Sequence, residues 1–274
     1  MKGIGLVLGL CVVGCQKAIP DRLVDSRAKT KIDHSLHFKN PGRVIHVVVA
    51  LCDNKYQGIV PVPAHLGNGE DLKQNLYWGS QYGVKAYLQV QKDWKLVPLE
   101  GKLEDGILER VAFKHRSKPV WLIADAYQGR RIQDATRTMF HYAAGEDASI
   151  VTVDKVKIAI GGGADLVAYV GHDGLMDFSL KETFPASDKR HRDVVILACK
   201  SKQFFGPHLK STGARPLLWT TNLMAPEAYV LLAAIDGWLA EEDGEQIRLR
   251  AATAYNKFQK CGLRGAKNTF ATGW

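Results

Sequence analysis

The residues most able to do chemistry lie between Asp165 and Ser201, where two apolar runs each stop on a reactive side chain. The first reads D-L-V-A-Y-V-G-H-D-G-L-M-D-F and delivers His172. The second reads D-V-V-I-L-A-C-K-S and delivers Cys199. A thiol beside an imidazole is equipped for acyl transfer, because the thiolate is the nucleophile and a neighbouring imidazolium lowers a thiol from its free value of about 8.5. In that reading Cys199 attacks, and His172 helps ionise it or protonates the leaving amine.

Positioning the two groups falls to the runs before them. Leu166 to Val170 and Val194 to Ala198 are short, nearly all-apolar and rich in Val, Leu and Ile, which suits strands buried on both faces of a parallel sheet. Ligands of open α/β sheets bind at the carboxyl ends of the strands. Adjacent strands ending in this way would set the imidazole and thiol side by side at that edge.

The pair of motifs resembles the caspase-like cysteine peptidases, in which one apolar strand ends in His-Gly and the next in Ala-Cys. Ala198-Cys199-Lys200-Ser201 matches the second motif; Asp173 stands between His172 and Gly174 in the first. The His-to-Cys separation is also shorter than the roughly fifty residues of caspases, so the resemblance is to fold and dyad layout rather than to a subfamily. It implies an α/β fold, a mostly parallel sheet with helices on both faces in a three-layer sandwich. It also implies an oxyanion hole from the backbone N–H groups of Gly174 and Cys199, each donor typically worth about 2.7–4 kcal/mol. Asp173 moves Gly174 one residue away from His172. Asn54-x-Tyr56-x-Gly58 resembles the metacaspase loop that helps form the substrate pocket; otherwise Asn54 and Gly58 are good turn residues.

Strand–helix alternation in the rest of the chain favours a parallel sheet with right-handed crossovers. Val44–Leu51, Val84–Val90, Val120–Ala124 (ending at Asp125) and Pro216–Thr220 read as strands, with Trp94 and Pro98 marking a turn region. A helix capped by Asn68 or Gly69 is expected through about Trp78, another over Arg130–Ala144, and one starting at Pro226 with a 3.6-residue apolar face. A last helix carries Ile247, Ala251, Tyr255 and Phe258 beyond Gly244. Gly161-Gly162-Gly163 fails as a dinucleotide loop, because a strand follows and Leu166 stands where the spacing needs glycine. It is read as a tight turn.

At the start, Lys2, the apolar stretch Ile4–Val13 and Val12-Val13-Gly14-Cys15 fit a signal peptide over residues 1–14, too short to span a bilayer as a helix. The V-V-G-C tetrapeptide resembles a bacterial lipobox, with Cys15 lipidated and Gln16 favouring the outer membrane. An ordinary secretory signal or a buried strand are the alternatives. No second long apolar run follows, so the remainder is expected to be water-soluble. Residues 15–43 read as a polar tether ending at Pro41-Gly42, with His34 and His37 as surface groups, and 44–274 as one domain.

Of five cysteines, Cys52, Cys199 and Cys261 remain after the leader and the lipid site, an odd number that leaves at least one free thiol. A Cys52–Cys261 disulfide is one possible pairing. The formal charge of +9 is scattered rather than blocked, which suits a solvated surface near anionic envelope components and excludes a nucleic-acid partner. No metal, nucleotide or flavin motif is present, so no cofactor is expected. Asp53, Asp173 and Asp177 near the expected edge would favour a basic residue before the scissile bond. The expected partner is a protein or peptide substrate, with membrane attachment through Cys15. Three functions stay open: a cysteine peptidase at the cell envelope, a caspase-fold lipoprotein that binds or scaffolds without catalysis, or another thiol hydrolase or transferase of envelope substrates.

Overall fold

Seven consecutive positions, Val44 to Ala50, all apolar except His46, are buried in the strand on which the sheet is built. The computed structural model describes residues 38–274. The expected signal peptide, the expected lipidation site Cys15, the expected tether up to residue 37, His34 and His37 lie outside the described residues. Strands in chain order are β1 (Arg43–Ala50), β2 (Trp94–Val97), β3 (Leu99–Glu100), β4 (Ile107–His115), β5 (Val120–Tyr127), β6 (Ser149–Val153), β7 (Val156–Ile160), β8 (Leu166–Val170), β9 (Asp193–Leu197), β10 (Arg215–Thr220) and β11 (Phe270–Ala271). The α-helices are α1 (Val84–Gln89), α2 (Ile132–Ala144), α3 (Ser201–Leu209), α4 (Ala228–Leu239), α5 (Gly244–Gln259) and α6 (Leu263–Thr269).

An eight-stranded sheet runs β11-β10-β9-β8-β1-β5-β4-β2, and a separate three-stranded sheet runs β3-β6-β7. The five central strands from β10 to β5 are parallel, while β11, β4 and β2 pair antiparallel at the margins. The fold is α/β with a mostly parallel sheet. Burial on both faces is what makes the central strands predominantly apolar, with His46 of β1 and Asp125 of β5 among the buried exceptions. Side chains alternate across β1: Ile45, Val47 and Val49 join an apolar cluster with α4 and α5, whereas Val44, Val48 and Ala50 join one with α2 and α3. Among the described residues no helix is long and apolar enough to cross a membrane.

The expected pairing of the His172 and Cys199 strands is present: β8 and β9 are parallel neighbours, and β1 and β5 lie in the same sheet. Helices α2 and α5 also fall where apolar spacing put them, and the three glycines form a tight 3-10 turn leading into β8.

Several local expectations are corrected. Val84–Val90 is not a strand but contains α1, whose buried Val84 and Leu88 are four apart and share one helical face. The expected helix from Asn68 to Trp78 is replaced by turns. Asn68 Oδ1 accepts from Glu70 N–H at 3.0 Å, and Asp71 Oδ1 accepts from Lys73 and Gln74 N–H at 2.7 and 3.0 Å. These local bonds compete with helix formation. Trp94 and its neighbours form β2 rather than a turn, because β4 offers an antiparallel partner. Pro226 lies outside α4, which starts at Ala228 after Glu227. β5 continues through Asp125 to Tyr127 because Arg110 and His46 satisfy the carboxylate in place. Before Val44, Asn40 is already docked, donating to Ala159 O and Gly163 O and accepting from Ala159 N–H at 2.7 Å.

Candidate functional site

Cys199 stands on a sharp turn between β9 and α3. Lys200, the next residue, adopts a left-handed backbone with φ 48°, a conformation costing a non-glycine residue roughly 1–2 kcal/mol. The neighbouring bonds show how the turn is held. Lys200 N–H donates to Asn222 O at 3.0 Å. The buried hydroxyl of Ser201 donates to Ile196 O at 3.0 Å and accepts from Thr220 N–H at 2.9 Å. Thr220 Oγ1 accepts from Ser201 N–H at 3.0 Å and donates to Ala198 O. These two side chains take over where the β9–β10 ladder ends, and so fix the chain on both sides of the thiol. Neither was anticipated from sequence, although Ser201 directly after the strand is a visible cue.

The thiol itself is partly buried. Met224 N–H donates to Cys199 Sγ at 3.4 Å, and the S–H reaches Met224 O at 3.6 Å. Burial pushes the thiol up from its ordinary value; the Met224 N–H and the charge of Lys200 pull the other way, and the charge of Asp173 adds to the rise. The Asp173 charge therefore reaches the thiol.

On β8 the last residue paired with β9 is Val170, opposite Leu197, so His172 and Cys199 each stand two residues past the final pair. Gly171 N–H extends the contact to Leu197 O at 3.2 Å. His172 is 8 % exposed, its carbonyl accepts from the Tyr169 hydroxyl at 2.9 Å, and its Nε2 lies 2.8 Å from Asp177 Oδ2. Burial works to raise the Asp177 carboxyl, but the bonds from His172 and from Gly58 N–H prevail and hold it below the usual aspartate range. An ionised carboxylate only accepts, so the proton sits on Nε2 and Nδ1 is left to exchange protons.

Asp173, the residue inserted into the His-Gly motif, is fully buried. Its Oδ1 accepts from Leu175 N–H at 3.0 Å and caps the 3-10 turn Gly174–Met176, while Oδ2 has no hydrogen-bond partner. Burial drives this carboxyl up to about 7, against the Leu175 N–H bond and the charge of His172. Gly174 is needed as glycine, since a Cβ there would lie 2.6 Å from the Phe178 ring and 3.2 Å from Ile132. Among the described residues, the N–H groups of Gly174 and Cys199 donate to no protein acceptor.

The raised Asp173 carboxyl has a consequence for stability. From about pH 4 to about 7 the unfolded chain has lost this proton while the folded chain keeps it, so folding stability falls as pH rises through that window. Asp173→Asn is expected to remove the decline. The variant should match the parent near pH 4 and exceed it at pH 8, by at most roughly 4 kcal/mol in urea unfolding. A parallel pH dependence in both proteins would refute the assignment.

Asp53 and Asn54, the other expected substrate contacts, follow β1 at the same edge and are occupied by loop construction. Asp53 Oδ1 accepts from Lys55 and Tyr56 N–H at 2.9 and 3.2 Å. Asn54 clamps Val62 through bonds of 2.8 and 3.0 Å. Of the three aspartates read as recognising a basic side chain, Asp53 and Asp173 are buried and Asp177 is bonded to His172. The possible Cys52–Cys261 pairing is corrected: both are free thiols, Cys52 buried and Cys261 exposed. Burial raises Cys52 to about 11, so it is an inert thiol.

No family model, curated protein or solved structure matches the chain. Among the described residues no group of three His, Cys, Asp or Glu side chains is placed to hold a metal ion.

Proposed function

We propose that the chain is a cysteine hydrolase of peptide bonds with Cys199 as nucleophile and His172 as proton carrier, acting on a protein or peptide substrate at the cell envelope. The observation that carries this reading is the arrival of an imidazole and a thiol two residues past the end of adjacent parallel strands, the thiol on a strained strand-to-helix turn. The Cys199 proton passes to His172 Nδ1 and Sγ attacks the substrate carbonyl carbon. The N–H groups of Gly174 and Cys199 receive the oxyanion. As the C–N bond breaks, the imidazolium returns its proton to the leaving amine. Water then hydrolyses the thioester and frees Sγ. The two apolar faces of the sheet suit the caspase-like three-layer sandwich. Attachment through a lipidated Cys15 after a signal peptide of residues 1–14 completes the proposal.

A second reading has its own observation. The Cys199 thiol is pushed up by burial and tied to Met224, which suits a caspase-fold binding module that has lost catalysis. Treating the membrane-extracted, full-length protein with a peptidyl acyloxymethyl ketone and mapping the adduct by mass spectrometry separates the two. Selective modification of Cys199, lost in His172→Ala, supports the hydrolase. Modification spread over Cys199 and Cys261 at equal rates favours the binding module. The N-terminal peptide in the same digest should carry acyl chains on Cys15; a bare Cys15 would remove the lipid anchor from the proposal.

A further inference from the structure

Asp177 is the junction between two loops that the sequence separates widely. Its Oδ2 accepts from His172 Nε2 at 2.8 Å and from Gly58 N–H at 2.8 Å. The second contact is unusually close. A Cβ on Gly58 would lie 2.2 Å from Asp177 Oδ1 and 2.9 Å from its Cγ, so residue 58 has to be glycine for the carboxylate to sit where it does. The backbone at Gly58 is not left-handed, so close approach is the reason for glycine, rather than conformation. The loop following β1 thereby sets the position of a side chain in the loop following β8.

We infer that Asp177 is a positioning residue for His172. It holds the imidazole with its proton on Nε2 and presents Nδ1 towards the Cys199 turn, with Gly58 as the backbone anchor of the carboxylate. The logic is that of any base oriented by a third group: the carboxylate selects the tautomer, fixes the ring and stabilises the imidazolium once it forms. The ionised state of Asp177 suits the role, since a protonated carboxyl would give up the acceptor that selects the tautomer. Other ionisable groups surround the pair. Asp173 precedes Gly174 in the same loop, Tyr169 bonds the His172 carbonyl from β8, and the charge of Asp173 reaches Cys199 on the β9–α3 turn. Asp177 bonds the His172 imidazole itself, which none of these does, and that singles it out. Its commitment also means that it does not recognise a basic substrate side chain.

The inference deepens the hydrolase reading and rests on it only for the step in which His172 moves a proton. The test therefore reads the imidazole directly. Full-length protein labelled with ¹⁵N-histidine is compared at pH 8 as the parent, Asp177→Ala and Gly58→Ala, with His172→Gln to assign the resonance. The parent should show His172 protonated on Nε2, and both variants should lose that preference while keeping the parent's urea-unfolding midpoint. Gly58→Ala matters because it leaves Asp177 in the chain and moves it only by contact. Peptide turnover should fall through kcat with KM held, by up to about 10⁴-fold, the loss associated with a wrong histidine tautomer. An Nε2–H tautomer unchanged in both variants overturns the positioning role. A tautomer change with no turnover in the parent retains the positioning role and refutes the hydrolase.

Discussion

On the proposed mechanism, Cys199→Ala is expected to abolish peptide hydrolysis, by a factor on the order of 10⁴–10⁶ in kcat, while leaving the fold in place. The thiol's polar contacts are two long bonds to one residue, Met224. The turn that carries it is held instead by Ser201, Thr220 and the Asn222 carbonyl, none of which the substitution touches. His172→Ala should lose a comparable amount, and the double variant should be little worse than either single one, because nucleophile and base act as a unit. Hydrolysis of a fluorogenic peptide library by the purified proteins, with circular dichroism as the control for folding, reads all three. Activity persisting in Cys199→Ala would end the mechanism. Additive losses in the double variant would mean that the thiol and the imidazole work apart.

The sheet was legible in the sequence where burial is complete. Val44–Leu51, Val120–Ala124, Leu166–Val170 and Val194–Ala198 are apolar on both faces, and that pattern belongs to central parallel strands. It failed at the margins. β2 and β4 are antiparallel and partly exposed, so polar residues such as Lys95, Glu109 and Lys114 interrupt the apolar pattern. The run from Val84 was ambiguous for another reason: six residues are too few for periodicity to decide between strand and helix. The stretch after Asn68 has helix-forming spacing, but its Asn and Asp side chains bond to nearby backbone instead.

The site was legible to the same degree. His172 and Cys199 could be paired because each ends an apolar strand, and strand neighbours are a question of topology. Asp177 could be placed near the edge, but its link to Gly58 depends on how two loops fold back, which no local pattern encodes. Asp173 illustrates the opposite limit. Its presence between His172 and Gly174 is plain in the sequence, while its burial with one oxygen unpartnered is not.

The largest effect on stability is expected away from the site, at Asp125. His46, Asp125 and Arg110 form a buried polar cluster on three adjacent strands of the sheet, β1, β5 and β4. Arg110 Nε donates to Asp125 Oδ1 at 2.5 Å and Nη2 to Oδ2 at 2.7 Å, while His46 Nε2 lies 3.0 Å from Oδ2. Gly161 N–H donates to His46 Nδ1 at 2.8 Å, which fixes the His46 proton on Nε2 and ties the glycine turn to β1. Asp125→Ala would leave a guanidinium with its side chain 1 % exposed holding only the half-exposed Glu104 and a 3.4 Å bond to the Lys102 carbonyl among the described residues, together with an unsatisfied imidazole N–H. Removing one partner of such a pair typically costs about 3–5 kcal/mol, a large share of the roughly 5–15 kcal/mol that holds a domain folded. Urea unfolding should show that loss at pH 7. The pH dependence follows from the carboxyl. Burial works to raise it, but His46 and Arg110 together hold it below the ordinary value, so its contribution is complete above about pH 4 and disappears as pH falls through the lower folded-state value. Replacing the whole cluster, with His46→Leu, Arg110→Met and Asp125→Leu, should cost less than Asp125→Ala at pH 7, since well-packed apolar groups often substitute for buried ion pairs and what remains is the unpaired Gly161 N–H, typically about 1–3 kcal/mol. That variant should also lose the Asp125 contribution to acid unfolding. An Asp125→Ala variant as stable as the parent would mean that the buried arginine finds another partner and that the cluster does not hold the sheet.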